Sequence, residues 1–172
     1  MSHHPSSNES ALRVFVYGTL KHGYGNHFRL CLEYLQRIPG LVRGRVVDRP
    51  EGFPTLFVPM TDILAAGTPD MHADCRLTDT PAFQEVPAGN PADVHCPPPP
   101  APWRYVAGEI YTFGDGTRRL RELDMLEDFI PNEPSMYCRV VLRVHTSQGT
   151  LPCWAYISPH SARFEAEHAG SP

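Results

Sequence analysis

The sequence predicts one α+β domain whose sheet curls towards a barrel. Three observations carry this. Strand-like runs outnumber helical ones, strand and helix do not alternate regularly as a parallel α/β sheet requires, and no internal repeat is present. The 172 residues suffice for one buried core, and 41% hydrophobic with 20% charged residues is ordinary for a soluble domain. The expected organisation is a flexible leader over 1–11, a single domain over 12–157 with a Pro-rich insertion at 61–102, and a loose tail over 158–172.

The first element is a strand from Arg13 to Tyr17. Val14, Phe15 and Val16 are β-branched or aromatic, and their unbroken apolar run suits a strand covered on both faces. Gly18 breaks it, so Tyr17-Gly18-Thr19-Leu20 reads as a turn whose backbone N–H groups converge; such a turn either simply reverses the chain or holds a carboxylate or phosphate. Asn26 is positioned to cap a helix reaching about Gln36, with Phe28, Cys31, Leu32 and Leu35 facing the core and Pro39-Gly40 stopping it. A strand is expected over 41–48, with Gly44 a bulge or close approach, then a turn at Pro50-Glu51-Gly52-Phe53-Pro54 and a short strand over 55–58.

Between 61 and 102 the composition changes. Nine of the chain's 19 prolines fall there. Proline removes a backbone donor and fixes φ, so a packed sheet or long helix is not expected, although a short helix near 62–66 fits. The terminal run Pro97 to Pro102 reads either as a spacer or as a segment a polyproline-reading protein partner would bind. Strand character returns at 104–113 (RYVAGEIYTF). Tyr105, Ala107, Glu109, Tyr111 and Phe113 share one face; Val106, Gly108, Ile110 and Thr112 share the other. Asp115 or Thr117 is placed to cap a helix over 117–129. Strands over 136–144 and 151–157 follow, joined through Thr146-Ser147-Gln148-Gly149.

The helix over 117–129 carries one residue out of pattern. With Leu120 at zero on the helical wheel, Leu123 falls near ~300°, Glu127 near ~340° and Asp124 near ~40°. Glu127 thus stands inside the apolar stripe. A carboxylate aimed at a core is disfavoured unless paired, hydrogen-bonded or set in a cavity, where its pKa would rise and suit a general base. Two readings stay open at this point: an acid/base group, or a structural glutamate held by an arginine or a helix end.

Several classes are disfavoured. A net charge of −4 and a pI near 6.1 argue against nucleic acid as a partner. No apolar run is long enough for a membrane span, and the polar N-terminus lacks the plan of a secretion signal. The five cysteines are irregularly spaced with no Cys-x-x-Cys pair, which indicates neither a disulfide framework nor zinc. The default compartment is the cytoplasm. His72-Ala73-Asp74-Cys75 and His95-Cys96 fall within the Pro-rich part, and no metal site is expected from them. Cys138 has no basic partner at useful spacing, so packing rather than nucleophilic attack is expected of it.

Taken together, Val14-Phe15-Val16-Tyr17-Gly18-Thr19-Leu20-Lys21 and Leu123-Asp124-Met125-Leu126-Glu127 resemble the gamma-glutamylcyclotransferase-like family. Its first strand ends in a Tyr-Gly-Thr/Ser-Leu loop, and a later helix carries Leu-Asp-x-x-Glu. Gly25-Asn26-His27-Phe28-Arg29-Leu30, Gly108-Glu109-Ile110-Tyr111 and the strand from Met136 to Val144 are similar to further family segments. The likeness covers about 12–60 and 103–157 and is nearest the gamma-glutamylamine cyclotransferase branch. The insertion and the Asp-Phe after Glu127 depart from the pattern. The resemblance implies a small curled mixed β-barrel with flanking helices. The implied reaction releases 5-oxoproline from a gamma-glutamyl amine or peptide by internal aminolysis, with no metal or cofactor. It assigns Glu127 as general acid/base and Tyr17, Gly18, Thr19 and Leu20 as the substrate-anchoring loop. Tyr137 is either a further substrate contact or an ordinary wall tyrosine, and Tyr111 ranks below it. The competing expectation is a non-catalytic binding module of the same fold that uses the insertion as a partner surface.

Overall fold

The computed structural model describes residues 11–17, 32–50, 52–79 and 97–169. Seven strands form one sheet: β1 (Leu12–Val16), β2 (Gln36–Asp48), β3 (Pro54–Phe57), β4 (Ile63–Ala66), β5 (Arg104–Phe113), β6 (Cys138–Thr146) and β7 (Gly149–Ile157). Three helices flank it: α1 (Met71–Leu77), α2 (Gly116–Leu126) and α3 (Ser161–His168).

Five of the strands close on themselves. β2 pairs antiparallel with β5, β5 with β1, β1 runs parallel to β7 through Val14 and Trp154, β7 pairs antiparallel with β6, and Leu41 opposite His145 returns β6 to β2. The expected mixed barrel is therefore present. β3 extends β2, and β4 extends β6 on its other side.

Alternation sorts the side chains into two cores. Phe15, Val42, Ile110, Leu142, Val144 and Ala155 pack together within the barrel. Val14, Val16, Tyr111, Phe113, Trp154 and Tyr156 pack from the opposite face against Leu120 and Leu123 of α2 and Cys75 of α1. β1 is thus covered on both faces, as its apolar run implies. Leu120 and Leu123 are fully buried, which stabilises the docked α2 by about 1.5–3 kcal/mol each. Gly108 is required where β5 crosses β1: a Cβ there would lie 2.4 Å from the Val16 carbonyl and 2.5 Å from the Phe15 ring.

Four expectations need correction. Leu32 and Leu35 are exposed, and β2 already begins at Gln36 and runs straight through Pro39-Gly40, so no helix reaches that point. Proline is tolerated because β2 at Pro39 pairs with β5 alone, leaving the strand's other edge free of a ladder among the described residues. The stretch after 61, where no packed sheet was expected, contributes a strand and a helix to the domain. Residues 63–66, expected as a helix, form β4 on β6, and α1 brings Asp74 and Cys75 into the interior. Residues 80–96 lie outside the described residues. Beyond Ser158 the chain is not a loose tail: α3 seats Phe164 on Phe57 at 4.6 Å and beside Trp103 at 5.6 Å. Finally, α2 ends at Leu126, before the expected Phe129. Asp115 occupies its N-cap position, but its carboxylate bonds Arg118 and Arg119 instead of the backbone.

Candidate active site

A cavity of about 280 Å³ opens where β1 ends and α2 stops. Its wall includes Val14 to Tyr17 from β1 and the residue after it, Phe53 and Pro54 before and at the start of β3, Leu126 to Asp128 at the end of α2, Met136, Tyr137, and Tyr156 of β7. Strand and helix ends remote in sequence thus converge because β1 lies between β5 and β7, and α2 packs over β1.

Glu127 is delivered by the way α2 terminates. It is the C-cap residue, with φ −89° and ψ 6°, and its N–H bonds the Leu123 carbonyl at 2.9 Å. Asp128 then takes φ 50°, in the left-handed region, and the Phe129 N–H returns to the Asp124 carbonyl at 2.9 Å. This is a Schellman closure, whose left-handed position glycine usually fills. Glu127 stands on the end of the helix rather than within its apolar stripe, but its carboxylate still faces the hollow. Burial pushes that carboxyl from 4.5 up to about 7, and no arginine or hydrogen bond offsets the effect among the described residues. Among the described residues, no arginine holds Glu127.

Tyr17 lines the cavity with its ring, while its hydroxyl is already engaged. Oη donates to the Tyr156 carbonyl at 2.6 Å and accepts the Leu56 N–H at 3.2 Å. Burial pushes this phenol far above its ordinary range. It therefore ties β1 to β7 and β3 and presents a neutral aromatic wall. Gly18, Thr19 and Leu20 lie outside the described residues. Tyr137 also stands in the wall: its hydroxyl donates to the Pro54 carbonyl at 3.0 Å, and the Arg49 guanidinium covers its ring at 5.3 Å. Tyr111 is absent from the cavity wall and bonds Glu109 at 2.9 Å. The Cys138 thiol is pushed up to about 11 by burial, against any thiolate role.

Behind the cavity lies a polar network that pattern reading did not single out. The Tyr156 hydroxyl donates to Asp124 Oδ1 at 2.6 Å, and Asp124 Oδ2 faces Arg139 Nη1 at 3.2 Å. Arg139 Nη2 donates to Asp74 Oδ2 at 2.6 Å. Burial raises the Asp124 carboxyl, opposed by the Tyr156 bond and Arg139. The available signal was the position of Arg139: it directly precedes the apolar run Val140-Val141-Leu142 in β6, and a guanidinium buried there has to meet an anion.

A family model described as gamma-glutamyl cyclotransferase, AIG2-like, matches residues 14–68 and 64–171. No curated protein matches the chain. Among solved structures, an AIG2-like protein from Mus musculus is 23% identical, over 87% of this chain and 78% of that one, with a TM-score of 0.48. A protein from Arabidopsis thaliana, solved in solution, is 15% identical over 92% of this chain and 68% of that one at TM-score 0.51, and shares the fold. A yeast gamma-glutamyl cyclotransferase specific to glutathione is 15% identical, over 87% and 69%, at TM-score 0.46. The matched segments take in β1 from Val14 on, the cavity wall and Glu127, and with them the chain belongs to the AIG2-like gamma-glutamyl cyclotransferase family of cyclotransferase-like enzymes.

Proposed function

We propose that the protein releases 5-oxoproline and a free amine from a gamma-glutamyl amine or peptide, with Glu127 as general acid/base. The observation that carries this reading is the desolvated carboxyl of Glu127, pushed up to about 7 in a hollow bounded by β1. The substrate's α-ammonium gives a proton to the Glu127 carboxylate. The freed amine attacks the substrate's own γ-carbonyl; as the C–N bond to the leaving amine breaks, the proton held by Glu127 and the second proton shed by the attacking nitrogen both pass to the leaving nitrogen, so the ring closes as a neutral lactam and the amine departs as an ammonium ion. Nucleophile and electrophile share one molecule, so placement supplies much of the rate. No covalent enzyme intermediate is needed.

The backbone N–H groups following Tyr17, at Gly18, Thr19 and Leu20, are proposed to hold the α-carboxylate. The rings of Tyr17 and Tyr137 would flank the glutamyl chain. With both hydroxyls engaged by backbone carbonyls, wall-forming is the role left to these side chains. Gamma-glutamylamines are the first substrates to test, because the rim includes Phe53, Leu126 and Met136, which suit an apolar leaving group. The partner expected is thus a small molecule, and the proposed compartment is the cytoplasm; among the described residues no helix is long and apolar enough to cross a membrane.

The test is 5-oxoproline release, followed by chromatography, from gamma-glutamyl amines, gamma-glutamyl dipeptides and glutathione. Turnover of at least one class, with an acidic limb in kcat near the Glu127 pKa, is expected. Silence across the panel from folded protein, or more than a few percent of turnover retained by Glu127→Gln, overturns the reading.

A further inference from the structure

Helix α1 lies in the Pro-rich part of the chain, yet it delivers a carboxylate to the centre of the molecule. Asp74 is 1% exposed and Arg139, its partner on β6, is likewise 1% exposed. We propose that Asp74 is a positioning residue for Glu127: it fixes the Arg139 guanidinium, which fixes Asp124, which sets where α2 closes and where the Glu127 carboxylate points. The proposal deepens the reading of Glu127 as the acid/base group and rests on it.

The geometry runs in one unbroken line. The Asp74 carboxylate accepts from the Thr68 N–H at 2.8 Å and the Thr68 hydroxyl at 2.9 Å, so it is held before it meets the cation. Arg139 Nη2 donates to Asp74 at 2.6 Å and to the Thr68 carbonyl at 3.0 Å. Arg139 Nε and Nη1 make no hydrogen bond among the described residues. The orientation of the guanidinium therefore depends on the Nη2 bonds, on the Trp154 ring at 4.9 Å and on the Phe129 ring at 5.2 Å. So held, Nη1 meets Asp124 Oδ2 at 3.2 Å. Asp124 in turn takes the Tyr156 hydroxyl on its side chain and the Phe129 N–H on its carbonyl, and Glu127 lies inside the turn that this last bond closes.

The same helix is anchored at its far end to the other half of the site. The Thr78 hydroxyl accepts the Arg13 N–H at 3.3 Å and donates to the Ala11 carbonyl at 3.3 Å; the Arg13 guanidinium also bonds the Thr78 carbonyl. α1 thus braces both the strand that ends at Tyr17 and the turn that carries Glu127. Gly67 leaves room for this: a Cβ there would lie 2.7 Å from Arg139 Nε. Among the described residues, the titratable groups facing Glu127 are Tyr17, Asp128, Tyr137 and Tyr156 in the wall, with Cys138 beside Tyr17 and Asp124, Arg139 and Asp74 behind. None of the wall groups belongs to α1, so an effect of Asp74 on Glu127 has to travel through Arg139.

The experiment compares wild type with Asp74→Asn in kcat, KM and the titration of Glu127. The last is read by carbon-13 NMR of glutamate-labelled protein, with the signal assigned through Glu127→Gln. Loss of the ionic hold is expected to lower kcat per folded molecule about tenfold, with KM changed less than about twofold. The Glu127 midpoint should fall from about 7 towards its ordinary value of 4.5 as water reaches the carboxyl. Asp74→Glu should recover part of both. A merely structural Asp74 would lower Tm and leave kcat per folded molecule and the midpoint where they were; that result overturns the proposal. Should Asp74→Asn not fold, Thr68→Val removes the 2.9 Å hydroxyl bond and is expected to give a change in the same direction, about two- to threefold in kcat; no change there counts equally against it. If wild type turns over nothing in the panel, the functional reading fails, while an Asp74-dependent Glu127 midpoint still supports the brace and an unmoved one still refutes it.

Discussion

Replacing Glu127 by Gln should strengthen the fold above neutral pH and gain little in acid. The carboxyl titrates near 4.5 when free and near 7 in the folded chain, with burial as the cause. Between those values the folded state keeps a proton that the unfolded state has released, so stability declines as pH rises from 4.5 to about 7 and is level beyond. At about 1.4 kcal/mol per pKa unit, that gap bounds the loss at about 3 kcal/mol. Glu127 is half-buried rather than sealed, so water screens part of it and about 1–2 kcal/mol is the expected share. Glutamine carries no charge to desolvate. The assay is urea unfolding at about pH 5 and about pH 8, followed by the fluorescence of the buried Trp103 and Trp154. With a slope of about 2 kcal/mol per molar urea, the variant's midpoint should exceed wild type's by roughly 0.5–1 M at the higher pH and by clearly less at the lower. An advantage independent of pH, or a weaker variant at pH 8, would mean that the carboxyl is not held from water, and the base assignment would lose its physical ground.

Three further outcomes follow from the packing. Tyr17→Phe leaves the Tyr156 carbonyl and Leu56 N–H without their bonds at 2.6 and 3.2 Å, so urea unfolding should register a loss of about 1–3 kcal/mol. Arg139→Met strands two buried carboxylates, Asp74 and Asp124, and should cost about 3–5 kcal/mol, with partial recovery when Asp74→Asn and Asp124→Asn are added; no recovery would show that charge is not the issue. Gly108→Ala places a methyl 2.4 Å from the Val16 carbonyl and should lower Tm by several degrees, read by circular dichroism, because the backbone of β1 has to shift.

Legibility in the sequence followed the local or non-local origin of each element. β5 occupies the residues its alternation marks, and the hairpin between β6 and β7 falls at its Gly turn, since both signals are local. Glu127 stood out because a charge among leucines breaks a helical pattern, although the turn that aims it depends on Asp128 in a left-handed conformation that no periodicity reveals. β4 was hidden because Ile63-Leu64-Ala65-Ala66 is neutral between helix and strand until the edge of β6 is there to receive it. The start of β2 was hidden by Pro39-Gly40, which locally means an end and here is accepted by a one-sided pairing. The Asp74–Arg139–Asp124 line joins residues remote in sequence, and spacing cannot report such a meeting. α3 had a fainter cue in Ser158-Pro159: the Ser158 hydroxyl accepts the His160 N–H at 3.1 Å at the start of the helix.

The parallel ladder between β1 and β7 joins the first described strand to the last one. A nascent chain therefore cannot finish its ring before β7 is made: β1 must wait, partnered on one edge at most, until that strand has emerged. Closing so wide a loop carries an entropic barrier, and a hollow assembled from strands so far apart in sequence exists only after that barrier is crossed. Any fragment lacking the final strand is thereby denied the hollow altogether, however well its helices form.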